Sequence, residues 1–163
     1  MLLTEDQWTV KLIDFGFSTC IPNEWKVKMF CGTPSYMAPE IVNKVEYSGP
    51  PADIWALGVL LYALLNGRFP FKGRTDEELY TKINLCDYAI YSHMSRAIWD
   101  LLSWMMDVDP NTWITAAEIL EHKWIADHDK LIRNIFFDSE GASEESKTDD
   151  DVLSPPQTYQ YAR

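Results

Sequence analysis

Lys11-Leu12-Ile13-Asp14-Phe15-Gly16 opens a stretch that closes with Cys31-Gly32-Thr33-Pro34-Ser35-Tyr36-Met37-Ala38-Pro39-Glu40, and Asp53-Ile54-Trp55-Ala56-Leu57-Gly58 follows. Asp14-Phe15-Gly16 alone is a weak signal; its weight comes from the motifs that follow at fixed distances. Upstream, Met1-Leu2-Leu3, the polar Thr4 to Gln7 and then Trp8 to Ile13 read as strand, turn and strand. The alternation of Val10, Lys11 and Leu12 predicts a half-buried hairpin. Residues 17–30 sustain no period and contain Pro22 and Asn23, which predicts a loop.

Downstream, Pro50-Pro51 fits the first turn of a helix, where a missing N–H costs nothing. Ile54 to Leu65 is apolar around nearly its whole circumference and predicts a helix buried on all sides. Asn66-Gly67 should end it in a left-handed cap. Thr75 to Glu78 and Thr115 to Glu118 read as capping boxes, opening a helix through Ile83 and another towards Trp124. Met94, Ala97, Ile98, Leu101, Leu102, Met105 and Met106 recur at helical spacing and give one apolar face. Leu131, Ile132, Ile135 and Phe136 predict one more amphipathic turn or two. Residues 138–163 are acidic, Ser-rich and Pro-containing, too poor in apolar side chains to fold. The expected organisation is a folded domain over 1–137 and an acidic disordered tail over 138–163.

With 163 residues and 47% hydrophobic content, the chain can build one domain with a real core. A net charge of −11 argues against nucleic acid as a partner, because phosphate binding needs clustered Lys and Arg. Cys20, Cys31 and Cys86 form no C-x-x-C pair, so neither a zinc site nor a disulfide framework is indicated, and a reducing compartment suits them. The run Ile54 to Leu65 is too short to span a bilayer, and no signal pattern opens the chain. A cytoplasmic protein without membrane attachment is expected, with the nucleus left open.

The motifs from Asp14 to Glu40, with the apolar run after Asp53, resemble the activation segment and central helix of a eukaryotic protein kinase. The wording of Cys31 to Glu40 is similar to the serine/threonine class, in the group of calcium/calmodulin-dependent and AMP-activated-type kinases. The resemblance runs from about Met1 to Ile125 and concerns only the second half of a kinase domain. It implies a mainly α fold, the truncated large (C-terminal) lobe of the kinase fold with a short N-terminal β-hairpin. It also implies an intact parent that transfers phosphate from ATP, with magnesium, to Ser or Thr of a protein substrate.

By the same resemblance, Asp14 holds magnesium, which bridges the ATP phosphates, and Asp14, Phe15 and Gly16 form part of the cofactor site. Magnesium usually takes one or two carboxylates besides phosphate oxygens and water, so Asp14 alone cannot make a tight site. Thr33 resembles the threonine that contacts the catalytic base and helps align substrate; Gly32-Thr33-Pro34 is equally good turn chemistry. Thr33, Ser35 and Tyr36 would bind substrate, the last two where the residue after the phosphoacceptor is read. Asp53 resembles the aspartate that hydrogen-bonds the catalytic loop, and would also place favourable charge in a helix's first turn. Glu40 and Asp53 are thus structural members of the site. His93, His122 and His128 are isolated and read as surface or supporting residues. Trp99, Trp104 and Trp113 read as core or rim packing.

The sequence departs from the family in three places. The Gly-rich loop, the V-A-I-K lysine and the His-Arg-Asp loop are missing from these residues. Met1 therefore reads as an internal position of a longer kinase, and the expected chain is inactive by itself with no tight ATP or magnesium binding. Met29 stands where many relatives carry an activating phosphothreonine, and a thioether cannot take phosphate. Trp113 stands where an Arg normally pairs with the Glu of Ala-Pro-Glu, here Glu40; breaking such a buried pair costs roughly 3–5 kcal/mol. Lys123 could substitute, or Glu40 could turn to solvent. Two other readings follow: a pseudokinase-like interaction module that binds a protein partner, and a truncated gene product. In either, the central helix would lack the neighbour that covers it in the family, and self-association along that strip is expected.

Overall fold

In the computed structural model, the described residues are 2–3, 9–22, 25–109, 112 and 114–128. The elements from β1 to α5 belong to one compact unit, Met1–Asp127. The expected boundary at 137/138, the apolar positions Leu131 to Phe136, and Trp113 lie outside the described residues. As the sequence predicts, the architecture is mainly helical with a short N-terminal hairpin. Strands β1 (Leu2–Leu3) and β2 (Val10–Lys11) pair antiparallel, Leu2 against Lys11 and Leu3 against Val10. The hairpin is not half-buried: Val10 and Leu12 are largely exposed, and the main packing partner of each strand is the other strand. Two strands without a second layer have nothing to bury against.

Helix α2 (Gly49–Asn66) is the axle of the molecule. Pro50 and Pro51 sit in its first turn behind the extended N-cap Ser48, and Gly67 closes it at φ 63°. Ala52, Ile54, Trp55, Gly58, Val59 and Tyr62 form its buried face. The expectation of burial on all sides fails on the other face, where Leu57, Leu64 and Leu65 stand exposed. The described elements cover α2 from one side only. Its main partner is α4 (Arg96–Met105), whose Ile98, Leu101, Leu102 and Met105 are the buried positions predicted from the spacing. The two helices meet at Gly58, where a Cβ would lie 2.9 Å from Met106 Cγ and 3.0 Å from Met105 Cβ. Trp55 stacks on Phe71 with ring centroids 5.7 Å apart, and Tyr88 meets Phe71 edge-on.

The remaining helices are short and capped. Thr75 opens α3 (Asp76–Leu85) by accepting from Glu78 N–H. The reciprocal half of that predicted box is absent, because the Glu78 carboxylate takes the Arg74 N–H at 2.8 Å and Lys82 Nζ at 3.0 Å instead. The helix also runs two residues past Ile83, to a cap at Cys86 with φ 50°. At α5 (Ala116–Glu121) the box is complete: Glu118 N–H donates to Thr115 Oγ1 at 3.2 Å and Thr115 N–H donates to Glu118 Oε2 at 2.8 Å. His122, expected as a surface or supporting residue, is buried in a supporting place, with Nδ1 accepting from Trp124 N–H and Nε2 3.6 Å from Asp100. Trp104 packs edge-on against its ring, half-exposed, so it is a rim residue as the sequence suggests. No described helix is long and apolar enough to cross a membrane.

Candidate functional site

Asp14 follows β2 and adopts φ 61°, a left-handed conformation that Asp tolerates better than most residues. Gly16 N–H donates to Asp14 Oδ1 at 3.3 Å. Phe15 C=O then accepts from both Ser18 N–H (3.0 Å) and Ser18 Oγ (2.7 Å), turning the chain sharply after the motif. Asp14 is left exposed with an accessible carboxylate.

The loop that follows is clipped down at one place. Val27 and Tyr47 exchange two backbone hydrogen bonds, at 2.7 and 3.2 Å. Lys28 Nζ lies 2.9 Å from Glu46, and Tyr47 OH donates to Met29 C=O at 2.9 Å. The sequence reading passed over Tyr47, although Val45-Glu46-Tyr47 just ahead of the Gly49-Pro50 helix start alternates as a strand would. Burial first, then repulsion from the ionisable side chains of Cys31, Asp53 and Glu40, pushes the Tyr47 phenol up from its ordinary value. The Tyr47 hydroxyl is therefore a donor held among acids, suited to gripping a carbonyl.

Gly32, at φ 133°, leads into the 3₁₀ turn Pro34–Tyr36, with Thr33 extended ahead of it. Thr33 C=O accepts from Tyr36 N–H at 3.0 Å, while the Thr33 side chain makes no cap bond and is exposed. Tyr36 meets Phe69 edge-on at 5.2 Å. Helix α1 (Pro39–Val42) comes next, packed on α3.

A cavity of about 490 Å³ gathers much of this: Phe15, Thr33, Tyr36 and Asp53 all contribute to its wall, together with Met29 and Cys31. Asp14 and Gly16 adjoin it through Phe15, whereas Ser35 and Glu40 are not among its lining residues. Asp53 is not in the first turn of its helix, because α2 already starts at Gly49. It has no hydrogen-bond partner among the described residues, and partial burial raises its carboxyl pKa. Glu40, in the first turn of α1, has a buried Oε1 without a hydrogen-bond partner. Lys123 does not substitute for the missing partner: it is exposed and makes no ion pair with Glu40, whose Oε1 stays buried while the residue as a whole is partly exposed. Desolvation accordingly raises the Glu40 pKa, partly offset by a backbone N–H.

The sequence pattern of the protein kinase domain matches residues 1–125. The chain belongs to the protein kinase domain family. It is 40% identical over 125 residues to the mitosis inducer protein kinase cdr1 of Schizosaccharomyces pombe, covering 77% of this chain and 21% of that protein. Over 123 residues it is 42% identical to serine/threonine protein kinase OSK3 of Oryza sativa subsp. indica, covering 76% and 24%. Sperm motility kinase 3A of Mus musculus is 36% identical over 126 residues, covering 77% and 25%. The chain thus spans about a fifth to a quarter of the length of these three relatives.

Proposed function

We propose that this chain supplies the activation segment and C-terminal-lobe helices of a serine/threonine protein kinase of the calcium/calmodulin-dependent and AMP-activated-type group. The observation that carries this reading is the cavity that joins Phe15 to Thr33, Tyr36 and Asp53, residues up to 38 positions apart in sequence. Asp14, exposed beside it with an accessible carboxylate, fits magnesium, which when bound with ATP would neutralise charge on the transferred phosphoryl group. Phe15 and Gly16 fix the turn that presents Asp14. Thr33 offers an exposed hydroxyl in an extended residue, suited to aligning a substrate. Ser35 and Tyr36 stand where the residue after the phosphoacceptor would be read. Asp53, unpartnered and partly desolvated, suits an acceptor for backbone N–H groups of a catalytic loop. Transfer also needs a base and a phosphate-gripping lysine that residues 1–163 do not provide, so this chain alone does not transfer phosphate.

Calorimetric titration of the 163-residue chain with ATP and magnesium should show no saturable micromolar binding. Joined behind the small lobe and catalytic loop of a serine/threonine relative, it should phosphorylate a protein substrate, and Asp14→Asn should reduce that activity to background. Activity that survives Asp14→Asn would remove the assignment.

The exposed Leu57 and Leu64, one face of α2 at i and i+7, favour a second role as a surface for self-association. Light scattering on the full chain should report a mass above the monomer that falls on Leu64→Glu. Residues 1–137 are the proposed kinase-derived domain, with 138–163 as a separate acidic tail and the cytoplasm as the place of action.

A further inference from the structure

A second cavity, of about 280 Å³, lies between the end of α3 and α4, and none of the residues assigned above to phosphoryl transfer lines it. Cys86 and Met106 line its base, where the Cys86 thiol donates to Met106 C=O at 2.7 Å and ties the cap of α3 to the end of α4. Burial first, and the Asp107 carboxylate second, push that thiol up to about 12. A thiol held protonated is a poor nucleophile, so the cavity is built to bind and not to react. Its mouth is apolar and open: Ile90, Trp99 and Val108 line it, and each is more than a third exposed. Leu85, next to Cys86 in the chain, is exposed as well. Open apolar side chains around a hollow are the form of a docking pocket, in which a buried anchor is ringed by contacts that exclude water.

The charge around this mouth selects the occupant. Asp107 is the one charged side chain among the lining residues, and its Oδ1 accepts from Asp109 N–H at 3.0 Å, which holds a second acidic residue beside it. Asp87 and Asp100 adjoin lining residues in the chain; Asp87 lines a neighbouring cavity and Asp100 faces His122, so both add to the field without filling the mouth. Against these four acids, Arg96 is the one Lys or Arg within three residues of any lining position. A second copy of a chain of net charge −11 would bring like charge to this face, whereas a cationic segment is drawn to it. We propose that the cavity docks a basic amphipathic segment of a partner protein. One large apolar side chain enters between Ile90, Trp99 and Val108, and Lys or Arg of the same segment faces Asp107 and Asp109. This is the helix-in-groove mode of recognition, with an apolar anchor for affinity and charge for selection. It shares no residue with the proposed magnesium and substrate positions, so it holds whether or not the chain works within an active kinase.

The test is fluorescence anisotropy with the full chain and three labelled peptides. One is built of leucine and lysine with every leucine on one helical face, one scrambles the same residues, and one carries glutamate in place of lysine. The first should bind about tenfold more tightly than either of the others, and its lead over the glutamate peptide should narrow as salt screens the charges. I90S/V108S should remove most of the preference, and V108R, a like charge set in the mouth, should do the same. D107N should weaken binding and flatten its salt dependence. L57S/L64S, which blunts the exposed strip of α2, should leave the preference intact. Equal binding of the three peptides overturns the proposal. So does a preference that survives both I90S/V108S and V108R, or one that L57S/L64S removes, since the peptide would then be seated on α2.

Discussion

The seam between α2 and α4 and the run from Val10 to Met29 contain similar densities of large apolar side chains, with opposite fates. Along the seam, Trp55, Val59, Leu101, Leu102 and Met105 are buried almost completely. In the N-terminal run, Leu12, Phe15, Phe17 and Trp25 are each about two-thirds exposed or more. The seam is covered because both of its layers lie within the chain. The run that carries Asp14 ends in turns and backbone clips rather than in a core. The scaffold and the proposed chemistry therefore have separate supports, and substitutions should separate them.

The largest effect is expected at Trp55, which has no exposed surface and stacks on Phe71. Trp55→Ala should lower stability by about 3–5 kcal/mol, whereas Phe17→Ala should stay within about 0.5 kcal/mol. Urea midpoints of the two variants check this; a large loss at Phe17 would mean the N-terminal run is part of the same core. Gly58→Val should cost about 1–3 kcal/mol by forcing Met105 and Met106 apart, since even a Cβ there meets both within about 3 Å. The same urea titration reads it, and a neutral result would mean that α4 slides freely on α2.

The contrast also explains what could be read from the sequence. Helix positions and the α4 face were legible, because periodicity reports burial directly when both partners are local in the fold. The completed box at Thr115 was legible too, while the half-formed one at Thr75 was not, since Arg74 N–H competes for the same carboxylate. Periodicity could not tell which side of α2 would be covered, because an all-round apolar helix carries no direction. At the site, the motifs name Asp14, Thr33 and Asp53, and the structure brings Thr33 and Asp53 to the wall of one cavity together with Phe15, the neighbour of Asp14. Tyr47 was missed because its role depends on Val27 and Met29, about twenty residues away and in a loop without period.

Tyr47→Phe sharpens the comparison from the other side. It removes the hydrogen bond to Met29 C=O but leaves the ring against Phe30, so the expected loss is about 0.5–1.5 kcal/mol. Because the clip secures the loop and not the seam, limited proteolysis near residues 25–30 should accelerate more than the global melting temperature falls. Equal changes in both would tie the loop to the core.

The smallest effect, and the one whose sign depends on pH, belongs to Glu40. Desolvation raises its pKa above the ordinary 4.5, so the fold favours the protonated carboxyl and its charge subtracts stability at neutral pH. That penalty fades as pH falls through the raised folded-state value towards 4.5. Glu40→Gln should therefore be more stable than the parent at pH 7, with the advantage shrinking across that window. The lowered carboxyls of Glu78 and Glu118 act oppositely, giving up stability as pH falls, but they are common to both proteins and cancel in the difference. Trp113→Arg, which restores the family's partner, should also raise the urea midpoint at pH 7. In the Glu40→Gln background that gain should vanish, since no carboxylate is left to pair. An Arg gain that persists without Glu40 would mean that the guanidinium finds another partner. A midpoint that drops with Arg would mean that the Trp113 side chain contributes more by packing than Glu40 loses by standing alone.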